Sequence, residues 1–102
     1  MTDPLLNLLG LIKRAGKMQN GEEKTLDAIK RQQASVIFLA SDAGTSTTKK
    51  IKDKSKFYKV QVIDQYTKEE LSSATGAGNR VVLAVVDKGF GKKCLELAGK
   101  GK

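Results

Sequence analysis

Two short stretches carry most of the polar chemistry of this chain. After an apolar run that ends at Ala40, "SDAGTSTTKK" sets Ser41, Asp42, Ala43 and the hydroxyls of Thr45, Ser46, Thr47 and Thr48 ahead of Lys49 and Lys50. Hydroxyl donors, backbone amides at a helix start and ammonium groups within one turn together suit a phosphate. The same residue types also cap helices and keep loops in water, so both readings stand at this point. The second stretch, "NGEEKTLDAIKRQQ", opens a helix with Gly21, Glu22 and Glu23 in a chain whose formal net charge is +8. Carboxylates at a helix N-terminus are stabilised by about 0.3–1 kcal/mol with no ligand present. They can equally accept hydrogen bonds from amino groups on base edges, as from cytosine N4. Lys24, Lys30 and Arg31 would then offset their repulsion from a phosphate backbone, and Asp27 can pair with Arg31 at i+4.

Other constellations point away from catalysis. Histidine is absent, which removes the commonest general base and metal ligand, and no nucleophile stands beside a base. Asp42 and Asp87 each end an apolar strand and could approach as a carboxylate pair, but Asp87 reads better as the cap of the last helix. "TGAGNR" precedes a strand, whereas a dinucleotide loop opens a helix. "GFGKKC" lacks both the first glycine of a phosphate loop and the Ser/Thr after its lysine. The expectation is a protein that is not an enzyme and holds no metal and no small-molecule cofactor; an enzyme acting on a phosphorylated small molecule at the 41–50 loop is the least favoured reading.

The charge has a definite layout. Lys49, Lys50, Lys52, Lys54, Lys56 and Lys59 fall within eleven residues with Asp53 as the one acid among them. A field of that kind attracts nucleic acid, anionic lipid or acidic protein. The apolar run of "MTDPLLNLLGLIKRAGK" is too short to span a bilayer and has no basic segment before it, so neither a signal peptide nor a membrane span is expected. Cys94, the single cysteine, has no internal partner, which suits a reducing cytoplasm.

The elements that must position these residues read as alternating helices and strands. Asp3-Pro4 starts a helix with Leu5, Leu8, Leu9 and Ile12 on one face, stopped by Gly16. Residues 17–20 form a short extended piece, and a helix over 22–33 buries Thr25, Leu26 and Ile29. "SVIFLA" (35–40) and "RVVLAVVD" (80–87) read as strands covered on both faces, the former central and parallel to a neighbour. Between them lie a lysine-rich helix to about residue 56, an alternating strand "YKVQVI" (58–63), and a helix opened by the Thr67/Glu70 capping box and closed by Gly76. A last helix places Phe90, Cys94, Leu97 and Ala98 on one face. This order implies a three-layer α/β/α sandwich with a small mixed sheet: one domain over residues 1–98 and a frayed basic tail at 99–102.

The ordered marks L-G-L-x-x-R-A-G-K, G-E-E, A-S-D-A, T-K-K and V-V-x-A-V-V-D followed by G-F cover roughly residues 5–95. In that order they resemble the L-seven-Ae/L-thirty-e ribosomal protein family, closest to its bacterial YlxQ type. The resemblance implies an L-thirty-e-like sandwich that binds structured RNA, typically a kink-turn with tandem sheared G·A pairs and a sharp backbone bend. The family's reading element resembles G-x-N-E-x-x-K. Aligned on Gly21, this chain has Glu23 in place of Asn, Lys24 in place of Glu and Asp27 in place of Lys. Lys30, one turn beyond, would supply the missing cation. The family's second contact is an apolar loop before the last strand; here it is polar, so Gly76, Gly78, Asn79 and Arg80 would contact backbone.

The expected surface therefore comprises Gly21, Glu22, Glu23, Lys24, Lys30, Arg31, Ser41, Asp42, Ala43, Ser46, Gly78, Asn79 and Arg80, flanked by Lys49 and Lys50. The implied function is that of a small cytoplasmic RNA-binding protein, a monomer, associated with the ribosome or with a kink-turn in a messenger or regulatory RNA. The alternative from another class is a protein-interaction or regulatory module on the same fold, with weak or relaxed RNA binding.

Overall fold

A computed structural model describes residues 3–76, 78 and 80–99. Along the chain it has α1 (Pro4–Arg14), β1 (Met18–Asn20), α2 (Glu22–Lys30), β2 (Val36–Leu39), α3 (Thr45–Phe57), β3 (Val62–Ile63), α4 (Lys68–Thr75), β4 (Val82–Val85) and α5 (Lys88–Leu97). The sheet order is β1-β4-β2-β3; β1 and β2 run antiparallel to β4, and β3 runs parallel to β2. The two strands expected to be covered on both faces are thus the two central ones, and all four residues of each are buried.

Strand alternation sorts the core into two layers. Val36 and Phe38 of β2, with Leu83 and Val85 of β4, pack against Leu5, Leu9 and Ile12 of α1, Leu71 of α4 and Cys94 of α5. Ile37, Leu39, Val82 and Ala84 face the other way, onto Ala28 and Ile29 of α2 and Ile51 of α3. The result is the α/β/α sandwich, with α1, α4 and α5 on one side and α2 and α3 on the other.

Local signals set several boundaries. Asp3 Oδ1 accepts from the Leu5 N–H at 2.8 Å and Pro4 follows the cap. Thr67 and Glu70 close a reciprocal capping box, and Asp87 Oδ1 accepts from the Phe90 N–H at 2.9 Å. Other boundaries moved. The second helix ends at Lys30 rather than 33, because Gln32 sits at φ +59° and its turn bonds Gln33 N–H back to Ala28 O. The strand expected over 58–63 keeps two residues, because Tyr58 caps α3 and Lys59, at φ +60°, turns the chain so that Val60 N–H bonds Ser55 O. Leu26 is half-buried, and Leu97 lies 40% exposed rather than on the buried face of α5. Residues 100–102 of the expected tail lie outside the described residues.

The topology gives the sheet two distinct edges. β1, β2 and β3 end, and β4 begins, at one edge, hereafter the upper edge; α2, α3 and α4 start there. β4 ends and α5 starts at the opposite, lower edge. Asp42 and Asp87 therefore lie at opposite edges, and no carboxylate pair forms. Among the described residues, no helix is long and apolar enough to cross a membrane and no group of three acids or cysteines could hold a metal.

Candidate nucleic-acid interface

The upper edge gathers three segments that are far apart in sequence. Gly21 leaves β1 with its N–H donating to Val82 O at 3.0 Å, and Ala40 leaves β2 with its N–H donating to Val81 O at 2.7 Å. Both thereby flank the start of β4, where Arg80 stands with its own N–H donating to Ser72 Oγ at 2.8 Å. Gly21, Glu22, Glu23 and Lys24, the 41–46 loop and Arg80 thus share one edge. Gly78, an exposed bend, lies two residues before Arg80; Asn79 lies outside the described residues.

The helix starts of the molecule differ in one respect. α1, α4 and α5 carry side-chain caps from Asp3, Thr67 and Asp87, whereas α2 and α3 begin at Gly21 and Gly44 with no side-chain cap. First-turn N–H groups have no partner within their helix, so α2 and α3 present amide donors and the positive ends of their dipoles outward. At Gly21 the backbone takes φ +94° and ψ +160°, a region that only glycine enters at low cost.

Glu22 spans these two helix starts. Its Oε1 accepts from Thr47 Oγ1 at 2.7 Å, and its Oε2 lies 3.3 Å from Lys50 Nζ. The Thr47 hydroxyl first, and Lys50 second, hold its carboxyl below the ordinary value. Glu22 is therefore a brace within the protein, while Glu23 and Lys24 are exposed and line an open groove of about 450 Å³ with Gln19, Asp27 and Gln33.

The remaining expected residues divide by location and by internal partner. Asp42 stays exposed but accepts from the Lys68 N–H at 2.9 Å, and thereby ties the loop to α4. The Ser41 and Ala43 amides bond Tyr66 O and Ala40 O, so the open amides belong to the first turn of α3, where Ser46 is exposed, rather than to the loop itself. Lys49 faces Asp53 at 3.4 Å across an exposed i,i+4 pair, which is worth little in stability. Lys30 and Arg31 sit at the far end of α2, roughly 13 Å from its start at 1.5 Å per residue. There the chain joins the lower edge through Ser35 N–H to Val85 O, and Arg31 pairs with Asp27 at 3.1 Å. They do not share the edge of Gly21 and Arg80.

Asn20 Oδ1 and Arg80 Nε, at the upper edge, are buried and have no hydrogen-bond partner among the described residues. Arg80 was expected at this surface, whereas Asn20 escaped the sequence reading. The available signal was Asn20 itself, a polar residue ending a strand immediately before a glycine. Thr47 was also missed as the residue that fixes Glu22, since the two are 25 positions apart.

The profile of the "Ribosomal protein L7Ae/L30e/S12e/Gadd45 family" matches residues 3–95. The chain is 42% identical over 92 residues to the RNA-binding protein YlxQ of Enterococcus faecium, covering 90% of this chain and 88% of that one. It is 38% identical over 90 residues to the RNA-binding protein YlxQ of Bacillus subtilis (strain 168), covering 88% and 90%. A Bacillus halodurans C protein of unknown function superposes with a TM-score of 0.93 at 37% identity, over 96% of this chain and 99% of that one. The 15.5kD RNA binding protein of Giardia lamblia superposes at 0.82 with 20% identity, over 94% and 82%, a likeness of fold.

Proposed function

The chain belongs to the ribosomal protein L7Ae/L30e/S12e/Gadd45 family, and from that premise we propose that it is an RNA-binding protein whose upper edge grips a bent, structured RNA of the kink-turn kind. One observation carries the proposal. The two helix starts without side-chain caps, α2 and α3, stand side by side, held together by Glu22, with Arg80 at the start of the neighbouring strand. Amide donors at two adjacent helix ends suit the closely spaced phosphates of a sharp backbone bend. Double-stranded RNA hides its base edges in a deep, narrow major groove, so recognition falls on irregular regions of this sort. The names of the two curated relatives support RNA as the partner.

Within this reading Lys24 and Arg80 contact phosphate, Glu23 accepts from exposed base amino groups, and Gly21 lets the RNA approach the helix end. Ser46 adds a hydroxyl to the α3 site, and Gly78 and Asn79 border it. Lys50 and Glu22 act by keeping the two helices in register, while Lys30, Arg31 and Lys49 contribute to the field rather than to contact. The protein would work as one domain over residues 1–98, as a monomer, in the cytoplasm, at the ribosome or on a kinked element of another RNA. Family membership agrees with the absence of enzymatic activity expected from the sequence.

The test is a binding titration with a kink-turn RNA against the same RNA with its G·A pairs disrupted. The proposal expects tighter binding to the intact bend. Equal affinity for both would overturn kink recognition, and binding to neither would favour the protein-interaction alternative.

A further inference from the structure

At the lower edge, α3 ends in a group that the upper-edge reading does not use. Phe57 is 76% exposed, against 51% for Leu11 and 40% for Leu97, the other large exposed hydrophobics among the described residues. Its ring is braced edge-on by Tyr58, with centroids 5.0 Å apart and planes at 78°. The lysines of α3 also divide along its length. Lys49, Lys50 and Lys52 each face a carboxylate, from Asp53, Glu22 and Asp64 respectively. Lys54, Lys56 and Lys59, around Phe57, have no ion-pair partner among the described residues.

Lysines in a last turn complement the helix dipole, which accounts for Lys54 and Lys56 alone. It does not account for an oriented aromatic ring left in water between them, nor for Lys59 keeping a side chain at φ +60°. A protein-docking centre would need apolar neighbours around the anchor. A nucleobase needs a π-face, with cations for the phosphates on either side. We propose that the C-terminal turn of α3 is a second nucleic-acid contact, where Phe57 stacks an unpaired base of single-stranded RNA and Lys54, Lys56 and Lys59 hold the adjoining phosphates. The contact is separate from the upper edge, about 20 Å along a helix of 13 residues.

The probe is an unstructured, uridine-rich single-stranded RNA of about ten nucleotides carrying one 2-aminopurine, titrated into the full chain. Fluorescence of the 2-aminopurine should change on stacking. Phe57→Leu should abolish that change and weaken binding about fivefold or more, the lower bound for one base stacked on one aromatic ring. Phe57→Tyr should retain both, and the double variant Lys54→Glu with Lys56→Glu should weaken binding and flatten its salt dependence. Phe57 is exposed, so these variants leave the core untouched. Wild-type behaviour in Phe57→Leu overturns the inference, as does a loss reproduced by Lys24→Glu, which would place the single strand at the upper edge. Phe57-dependent sedimentation with phosphatidylglycerol vesicles, without single-strand binding, overturns it in favour of a lipid surface. The two readings separate cleanly, because kink-turn binding in Phe57→Leu reports on the upper edge alone.

Discussion

At the scale of single residues, the decisive finding is that neighbouring glutamates have different roles. Glu22 accepts from Thr47 and faces Lys50, whereas Glu23, one position on, is exposed. Charge and spacing marked both as helix-start carboxylates, and only the three-dimensional path from residue 22 to residue 47 separates them. Glu22→Ala should lower the thermal midpoint and weaken RNA binding together, because it releases the two helix starts from one another; Glu23→Gln should leave the midpoint unchanged. Glu22 is held below its ordinary pKa, so its contribution is present above its unfolded-state pKa and fades as pH falls through the folded value. An acid titration of Glu22→Ala should therefore be flatter than that of the wild type. The lysines divide likewise: Lys24→Glu should weaken kink-turn binding and reduce the magnitude of the salt slope by about one, while Lys30→Glu, a helix length away, should do neither. Equal effects from the two would show that α2 lies along the RNA rather than end-on to it.

Elements were the most legible level, because their signals are local. The caps at Asp3, Thr67 and Asp87 and the doubly covered strands follow from patterns of a few residues. Helix ends were less legible where a non-glycine residue takes the left-handed position. α2 and α3 both finish in such a turn, with Gln32 and Lys59 where glycine is the usual signal. A left-handed non-glycine residue costs about 1–2 kcal/mol, offset in part by the greater unfolded-chain entropy of glycine. Gln32→Gly should thus stabilise the fold by up to about 1 kcal/mol in urea denaturation, and a loss of stability would contradict the turn. The opposite holds at Gly21, where φ is +94° and a Cβ would meet no atom within 4 Å. Gly21→Ala should cost about 1–3 kcal/mol through backbone strain alone. What could not be read locally was which helix starts share an edge, since that depends on β4 crossing between β1 and β2.

For the whole molecule, the order of helices and doubly covered strands implied the sandwich and the resemblance added its family, and the two-layer core explains why the fold tolerates the departures at Glu23, Lys24 and Asp27: all three are exposed and none touches the packing. The core also sets an alkaline limit. Burial first, and the Asp3 carboxylate second, push the Tyr66 hydroxyl up to about 12, and burial pushes the Cys94 thiol up to about 12. Both groups ionise more readily in the unfolded chain, so their contribution is full below about pH 9 and is lost as pH rises toward 12. Stability should fall across that interval, and Cys94→Ala should shift the start of the fall upward.

The account rests on the upper edge as the place where RNA is held. Backbone amide resonances followed during titration with a kink-turn RNA test this most directly. The expected result is that the largest shifts fall on the first turns of α2 and α3, residues 22–24 and 45–47, and on Arg80, with α5 unaffected. Shifts concentrated on α5 and the exposed face of α1, with the α2 and α3 starts unchanged, would contradict it.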